Sequence, residues 1–440
     1  MDDLGFLLGL NYWPRRKAMY WWKDFDAAEV NEEFAQIAEL GVRLVRFSLM
    51  WEDFQPDSHV VDTVQLGNLQ MVMDLAQRHG LLATPTLLVG NMSGIMWFPP
   101  WAFTERTRRQ GPPQITLGEY TDCQLRSPFD DPAMLQAEGL LAREAALAIA
   151  GHPALHSWDL ANEIDQAYMP TEPDAGRRWA HFLSQSIRAV APETRVTYGA
   201  HSLSLTTRGL TLPEIAANLN YLSMHGYPIY SDEARDPLDS EFVPFITTLT
   251  GQLGNKKPAF MQEFGVPTAP PGEPSHTIQD DFLGEMRSQF LASEEDAATY
   301  YSRVLDRLWE TGAMGAVAWD YADYPRELWN RPPLDRAKRE RSFGVFRADA
   351  SPKPAAEVMA RFAHDMRSGA IEQRLGPWGD KAVRLEVNPD LYYLHPRESF
   401  RDAYGAYLRE VDLMTRSATQ SESRSILERS QTGAEGERER

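Results

Sequence analysis

The chain has 440 residues, of which 43% are hydrophobic, and a formal net charge of −19 at pH 7. This length suits one large barrel domain or two to three ordinary domains. The negative charge opposes the approach of nucleic acids, anionic membranes and polyphosphates, so we expect a neutral substrate and neither nucleic acid nor membrane as a partner. The single cysteine, Cys123, excludes an intrachain disulfide. With an acidic N-terminus that lacks the positive charges of a signal peptide, this favours a cytoplasmic protein.

Apolar runs with strand chemistry alternate with segments of helical periodicity along most of the chain. The predicted strands are Phe6–Tyr12, Arg43–Leu49, Leu81–Val89, Leu155–Leu160, Arg195–Gly199, Tyr221–His225, Pro258–Gln262 and Ala313–Trp319. The predicted helices include Ala27–Leu40, Leu66–His79, Pro132–Ile149, Asp174–Val190 and Asp296–Glu310. Strands that alternate with helices pair in parallel through right-handed crossovers. This many repeated units favours a closed (β/α)8 TIM barrel over a doubly wound open sheet.

Polar side chains stand at the ends of these predicted strands. They are Asn11, Arg46, Asn162, Glu163, His225, Glu263 and Trp319. The C-terminal ends of all eight strands of a barrel meet at one mouth, whereas in an open sheet they spread along an edge. The pattern therefore predicts one catalytic site at the barrel mouth.

The domain organisation follows from composition. We expect a single catalytic barrel over residues 1–368, a helical extension over 369–416 that packs on the barrel, and a disordered tail rich in Ser, Glu and Arg over 417–440. Two long connections, Gly90–Asp131 and Phe264–Ala292, are expected on the catalytic face, because long loops inside a compact domain are usually functional.

Two glutamates have the placement that glycoside hydrolysis requires. Glu163 ends the fourth predicted strand in HSWDLANEID, and Glu263 ends the seventh in KPAFMQEFG. Hydrolysis with retention of configuration needs two carboxyl groups about 5 Å apart, one as acid/base and one as nucleophile. Glu163 is the candidate acid/base and Glu263 the candidate nucleophile. A structural salt bridge to Arg46 is the alternative for either one.

Five motifs, in order along the chain, resemble those of glycoside hydrolase clan A, and within it family 5, the cellulase and β-mannanase family. They are VRLVRFSLMW, WDLANE, HGYP, PAFMQEFG and AVAWDYAD. The resemblance runs from about Leu8 to Phe362. It implies a TIM barrel that hydrolyses β-glycosides by double displacement.

The resemblance also implies roles for the residues around the nucleophile. Arg46 would hydrogen-bond Glu263 and keep it ionised, since a nearby opposite charge lowers the pKa of a carboxyl group. Tyr227 would donate to the same carboxylate. Trp319 would form the floor of the subsite that holds the reacting sugar.

Around the acid/base, the resemblance implies that Asn162 binds the sugar 2-hydroxyl and that His225 lies close by. Glu163 itself must start protonated, so we expect its pKa to be raised. Many family members place a histidine after the third strand. This chain has Asn91 there, which is a candidate for a hydrogen bond to a sugar hydroxyl.

Aromatic residues are candidates for stacking against sugar rings. We expect Trp13 and Trp97 to bind the substrate, with Trp51 and Trp101 as further candidates. Trp158 is expected in the core. The sequence has no HxH, HExxH or CxxC pattern, so neither a metal nor another cofactor is expected.

The substrate hypothesis rests on resemblance alone. The segments LNYWP, NMSG and SFGVF are most similar to β-mannosidase-type branches of family 5. They imply exo-action on β-mannosides of short, neutral oligosaccharides. The alternatives are an endo-β-mannanase, a β-glucosidase or a β-galactosidase, and, in another class, a non-catalytic carbohydrate-binding barrel. The oligomeric state is not indicated.

Overall fold

Eight parallel strands close into a barrel with each strand hydrogen-bonded to its neighbours in chain order and the last paired to the first. The structure, a computed structural model, describes residues 5–108, 111–170, 172, 174–207 and 210–414. The barrel strands are Leu7–Asn11, Leu44–Ser48, Leu82–Val89, Trp158–Asn162, Val196–His201, Leu222–Gly226, Ala259–Phe264 and Gly315–Ala318. The predicted TIM barrel and its eight strands are confirmed.

Helices connect the strands on the outside of the barrel. The main ones are Ala27–Glu39, Thr63–Arg78, Pro132–Ala148, Ala175–Arg188, Phe242–Leu253, Glu294–Glu310 and Pro354–Ser368. Aspartates cap three of them: Asp26, Asp62 and Asp131 each accept two backbone N–H groups of the first turn. The five predicted helices are confirmed. A further helix, Phe242–Leu253, is not among the predicted ones, and nine of its twelve residues are buried.

Shorter helical segments complete the connections. The α-helical ones are Trp51–Phe54, Ile164–Ala167, Leu203–Thr206, Leu212–Ala216, Ala370–Leu375 and Pro389–Tyr392, and a long helix over residues 396–414 follows them at the C-terminal end of the described chain. The 3₁₀ ones are Ala18–Tyr20, Pro100–Ala102, Pro228–Tyr230, Arg326–Leu328 and Lys338–Ser342.

The two long connections contain strands of their own. The first holds a four-stranded sheet made of Asn91–Met92, Ile95–Trp97, Gln114–Thr116 and Glu119–Thr121, and a pair made of Phe103–Thr107 and Cys123–Leu125. The second holds an antiparallel hairpin made of His276–Phe282 and Glu285–Leu291. A third long connection, which the sequence pattern does not predict, follows the last strand over residues 319–353.

The described C-terminal segment packs on the barrel through tyrosines. The ring of Tyr404 stacks on Phe245 with centroids 4.6 Å apart, and its hydroxyl donates to Asp239 at 2.5 Å. The hydroxyl of Tyr392 donates to the carbonyl of Leu205 at 2.7 Å. The division at residue 368 stays a prediction, and the predicted tail over 417–440 lies outside the described residues. Among the helices that are described, none combines the length and the apolarity needed to cross a membrane.

Strand register places the polar strand ends in one layer. Asn11 lies beside Arg46 on neighbouring strands, and His225 lies beside both His201 and Glu263. Because parallel strands carry equivalent residues at equal heights, these side chains meet at the C-terminal mouth of the barrel. The barrel therefore assembles the site from residues that are far apart in the sequence.

Candidate active site

The two candidate catalytic glutamates face each other at the barrel mouth. Glu163 and Glu263 each contribute a carboxylate oxygen, and His225 a ring nitrogen, to a group of atoms that all lie within 4.8 Å of one another. Both carboxylates are buried, with 4% of each residue exposed. A spacing of about 5 Å leaves room for one anomeric carbon but not for an intervening water molecule. The arrangement is suited to direct attack on a bound sugar.

Both oxygens of the Glu263 carboxylate accept hydrogen bonds. The guanidinium Nη1 of Arg46 donates to Oε1 at 2.6 Å, and the hydroxyl of Tyr227 donates to Oε2 at 2.8 Å. Burial and the charge of Glu263 raise the pKa of Tyr227 well above its usual range, so this hydroxyl keeps its proton. The structure thus brings Arg46 and Tyr227 to the nucleophile position, as the resemblance implies.

A buried aspartate holds Arg46 in place. Asp159 accepts from Nε and Nη2 of Arg46 at 3.1 and 2.9 Å, and also from the hydroxyl of Thr86 and the backbone N–H of Gly199. Burial acts to lower the pKa of Arg46, but the charges of Asp159 and Glu263 outweigh it and raise that pKa. Sequence reasoning missed Asp159. The available signal was an acidic residue between apolar neighbours inside a strand, where a solvated charge is not expected.

The backbone at Glu163 leaves the strand in an unusual conformation. Its φ of 48° and ψ of 39° lie in the left-handed region, which residues other than glycine rarely adopt. Successive side chains of a regular strand point to opposite faces. The left-handed residue breaks this alternation, and as a result Asn162 and Glu163, adjacent in sequence, both line the same cavity.

The acid/base candidate is held by three side chains. Oε1 of Glu163 lies 2.7 Å from Nδ1 of His225, and Oε2 accepts from Asn91 at 2.6 Å and from Gln166 at 2.5 Å. Burial alone would raise the pKa of Glu163, but the charge of His201 and the bonds from His225 and Asn91 lower it to about 2. The expectation of a raised pKa for Glu163 is therefore wrong.

His225 carries the opposite shift. Burial acts to lower its pKa, but the charge of Glu263 and the contact with Glu163 outweigh burial and raise it. Two arrangements of this pair contain the same number of protons. In one, His225 is protonated and Glu163 is ionised; in the other, His225 is neutral and Glu163 is protonated. The pair therefore holds a proton that can move over a 2.7 Å contact.

The two asparagines lie beside the glutamates. Asn162 accepts from Nη2 of Arg46 at 2.6 Å and donates to the backbone carbonyl of Asn91 at 2.6 Å. Asn91 uses its amide N–H on Glu163, and its side-chain oxygen is buried without a hydrogen-bond partner in the described structure. Both residues line the cavity, and Asn91 contacts Glu163 directly.

A cavity of about 510 Å³ opens above the two glutamates. All three long connections contribute to it. Its lining consists of Asn91, Met92, Ser93, Gly94, Asn162, Glu163, Gln166, His201, Tyr227, Tyr230, Glu263, Phe282, Leu283, Trp319, Arg339, Glu340 and Phe343. Trp319 lies at this surface, as predicted from its strand end, whereas Arg46 and His225 lie beneath it.

The predicted sugar-stacking tryptophans are not at the cavity. Trp13 and Trp97 are each 2% exposed, belong to the hydrophobic core and do not line the cavity, which corrects their assignment as substrate-binding residues. Trp51 is also buried and packs edge-on against the half-buried Trp101. Because a core of this size absorbs large aromatic side chains, tryptophan count alone does not identify a sugar site. Trp158 is in the core, as expected.

Several residues at the cavity are missed by sequence reasoning. They are Gln166, His201, Tyr230, Arg339, Glu340 and Phe343. Arg339 and Glu340 belong to the charged run RAKRERS, which by composition resembles a solvated surface segment. Nothing local in the sequence distinguishes them, because burial of this run comes from contacts with distant loops.

Glu163, His225 and Glu263 are also the described residues close enough together to hold a metal ion. Both oxygens of Glu263 already accept from protein donors, and a positively charged His225 opposes a cation. The donor set therefore fits proton transfer better than metal binding, and the absence of a metal stays a prediction.

Comparisons with known proteins agree with the barrel fold. No protein-family model matches the chain, and no curated protein shows a significant match. Among solved structures, GH5_18 from Streptomyces cattleya in complex with GlcNAc is 20% identical, with a TM-score of 0.71 over 92% of both chains. A variant of GH5_18 from Streptomyces cattleya, in complex with Manβ1-4GlcNAc, is 20% identical, with a TM-score of 0.67 over 82% of this chain and 81% of that one. An exo-β-1,4-mannosidase from Opitutaceae bacterium strain TAV5 is 24% identical, with a TM-score of 0.67 over 83% of this chain and 60% of that one.

Proposed function

We propose that this chain is a retaining β-glycosidase of glycoside hydrolase family 5 that releases mannose from the non-reducing end of short β-mannosides. The observation that carries the proposal is the pair Glu163 and Glu263, whose nearest carboxylate oxygens lie within 4.8 Å at the barrel mouth. The names of the structural neighbours, GH5_18 and exo-β-1,4-mannosidase, support the family and the sugar. They also agree with the five sequence motifs.

The geometry supports a double displacement. In the first step Glu263 Oε2 or Oε1 attacks the anomeric carbon, and the bond from that carbon to the leaving oxygen breaks. The leaving oxygen takes a proton from Glu163, and an α-mannosyl ester of Glu263 remains. In the second step Glu163 removes a proton from water, the water oxygen attacks the anomeric carbon, and Glu263 leaves as the carboxylate. The product mannose has the β-configuration.

The proton for the leaving group comes from the coupled pair of Glu163 and His225. The two groups can share this proton, because Nδ1 of His225 lies 2.7 Å from Oε1 of Glu163. As the leaving oxygen gains negative charge in the transition state, proton transfer to it through Glu163 becomes favourable. This accounts for an acid catalyst whose pKa is lowered when no substrate is bound.

The shape of the cavity supports exo-action. Loops after the third, seventh and eighth strands all line it, and Leu283 at the hairpin turn is among the lining residues. Further contacts tie the loops to one another: Tyr120 donates to Asp335 at 2.7 Å, and Tyr20 donates to the carbonyl of Pro332 at 2.5 Å. Loops joined in this way favour a walled pocket for a chain end over an open groove for a polymer.

The test is hydrolysis by the purified full chain. Aryl β-mannoside, β-glucoside and β-galactoside would be compared, together with Manβ1-4GlcNAc, β-1,4-mannobiose and polymeric mannan. We expect release of mannose from the aryl mannoside and the disaccharides, with β-mannose as the anomer first seen by NMR.

First appearance of α-mannose contradicts retention, and cleavage only inside mannan contradicts exo-action. Preference for glucoside or galactoside contradicts the sugar, and binding without turnover supports a carbohydrate-binding barrel.

A further inference from the structure

The wall of the cavity above the nucleophile is a buried, clamped turn. Arg339, in the 3₁₀ turn Lys338–Ser342, is 1% exposed and donates from Nη1 to Asp280 at 3.0 Å and to the carbonyl of Asp281 at 2.6 Å. Asp280, which is fully buried, also accepts the backbone N–H groups of Lys338 and Arg339 at 2.8 and 3.0 Å. The turn is thus fixed to the hairpin of the preceding connection, and its next residue, Glu340, has a defined position.

Glu340 is a buried carboxylate with few partners. It is 6% exposed, lines the cavity, and accepts from the hydroxyl of Tyr230 at 3.1 Å, while Nε of Arg339 lies 3.6 Å away. Burial raises the pKa of Glu340 beyond what the charge of Arg339 and the bond from Tyr230 offset. A carboxylate has about four acceptor sites, so Glu340 can accept further hydrogen bonds from a ligand.

Ser93 provides a second polar group at the same cavity. It is 9% exposed, and its hydroxyl makes no hydrogen bond of ordinary length in the described part of the chain, although it lies near enough to Glu340 to act to lower the pKa of that carboxyl. The neighbouring Gly94 lies so close to Arg339 that an added Cβ would come within 3.1 Å of Nη2. Ser93 and the clamped turn therefore belong to one wall. A buried hydroxyl with only this weak contact can take a stronger hydrogen bond from a ligand, which would offset the cost of its burial.

This wall lies on the nucleophile side of the cavity. Tyr227, which donates to Glu263, packs against Tyr230 at a centroid distance of 5.6 Å, and Tyr230 in turn contacts Glu340. The acid/base Glu163 is surrounded by other residues, among them Gln166 and Asn91. Because the leaving group must lie next to the acid/base, the wall around Glu340 faces the sugar that is being transferred.

We propose that Glu340 and Ser93 form the recognition site for hydroxyl groups of the non-reducing terminal sugar. This inference rests on the proposed function and deepens it. Glu340 accepts from one or two hydroxyls of the neutral sugar, and Ser93 exchanges a hydrogen bond with another. A sugar whose hydroxyl at this wall carries a further residue does not fit, which restricts cleavage to the chain end.

The experiment is a substrate-by-variant matrix. Wild type, Glu340→Gln and Ser93→Ala would each be assayed for kcat/KM on aryl β-mannoside and on its 3-deoxy, 4-deoxy and 6-deoxy analogues. A hydrogen bond to a charged group is worth about 1.5–3 kcal/mol, so removing the hydroxyl bound by Glu340 should cost the wild type about 10- to 150-fold. In Glu340→Gln, kcat/KM on the same deoxy analogue should be less than about threefold below kcat/KM on the intact substrate. The exposed Glu327, in the same connection, gives the control Glu327→Gln, which should behave as wild type.

The outcomes separate this inference from the proposed function. A wild type that does not hydrolyse the aryl β-mannoside contradicts the function itself. A wild type that hydrolyses it, with deoxy penalties equal in wild type and in both variants, overturns the recognition site and leaves the function intact. If Glu340→Gln does not fold, as judged by circular dichroism, the Ser93→Ala matrix decides by the same criterion.

Discussion

At the scale of single residues, the hydrogen bonds to the Glu263 carboxylate have the most direct consequences. Its two oxygens accept from different donors, Arg46 and Tyr227, and neither bond is shared with solvent. Such charge-assisted hydrogen bonds are shorter and stronger than neutral ones. They fix the orientation of the carboxylate at the barrel mouth.

Removal of the Tyr227 hydroxyl should therefore impair the reaction without unfolding the protein. We expect Tyr227→Phe to lower kcat/KM on aryl β-mannoside by about 10- to 100-fold, the equivalent of one lost hydrogen bond to a charged group. The control is Tyr407→Phe, which removes a hydroxyl that donates to Glu241 at 3.1 Å, away from the cavity. Equal activity of the two variants would show that the bond to Glu263 has no catalytic role.

The two glutamates should respond differently to replacement and rescue. We expect Glu263→Ala to lower turnover by at least about 10³-fold. Added azide should then attack in place of the missing carboxylate and yield α-mannosyl azide. In Glu163→Ala, azide should instead attack the mannosyl-enzyme and yield β-mannosyl azide from an activated aryl substrate. NMR of the azide product distinguishes the two, and the same anomer from both variants would refute the assigned roles.

At the scale of elements, the connection after the third strand approaches the acid/base segment very closely. Gly90 donates its N–H to the carbonyl of Asn162 at 2.9 Å, and an added Cβ would come within 2.3 Å of Cα of Ile164. The close approach is what lets Asn91, the next residue, reach Glu163. Only glycine fits between these two backbones.

Gly90→Ala should therefore push the two segments apart. We expect a loss of about 1–3 kcal/mol in the free energy of unfolding, and a fall in kcat, because the displaced segment carries Glu163. The matched control is Gly67→Ala, at an exposed helical position with nothing within 4 Å of the added Cβ, where a gain of about 0.5–1 kcal/mol is expected. Denaturant titration and steady-state kinetics measure both. A neutral Gly90→Ala would argue against the close packing.

Prediction of helices and strands from the sequence succeeded where the hydrophobic periodicity is regular. The eight strands and the five predicted helices stand close to their expected places, since alternating apolar runs leave few other arrangements. It did not include the largely buried helix Phe242–Leu253, and it missed the long connection after the eighth strand. In that connection the run RAKRERS has the composition of a surface segment, and contacts with distant residues such as Asp280 and Tyr230 bury part of it.

At the scale of the whole molecule, the closed barrel buries titratable groups at both ends. His156 stands just before the fourth strand, away from the catalytic mouth, and is 7% exposed. Burial lowers the pKa of His156 from 6.5 to about 4. Below pH 6.5 the unfolded chain therefore binds a proton at this position that the folded chain does not bind.

This linkage predicts a specific acid sensitivity. The contribution of His156 is fully present above pH 6.5 and is lost as the pH falls towards 4, by up to about 3 kcal/mol over that window. We expect His156→Gln to flatten the decline of unfolding free energy between pH 7 and pH 4 by about this amount. The control His59→Gln, at an exposed histidine, should keep the wild-type slope. Parallel pH profiles for all three proteins would contradict the burial effect.

The sequence by itself determined the barrel, the order of its strands and the polar residues that end them, because periodicity and strand-end chemistry are local properties. It also predicted that Glu163 and Glu263 would lie close together, since a closed parallel barrel leaves one mouth for both. Only the tertiary structure decided which residues surround them: Asp159 beneath Arg46, the left-handed backbone at Glu163 and the wall of Arg339 and Glu340. It likewise moved Trp13 and Trp97 into the core. These outcomes depend on burial by segments distant in the chain, and no local pattern records which segments those are.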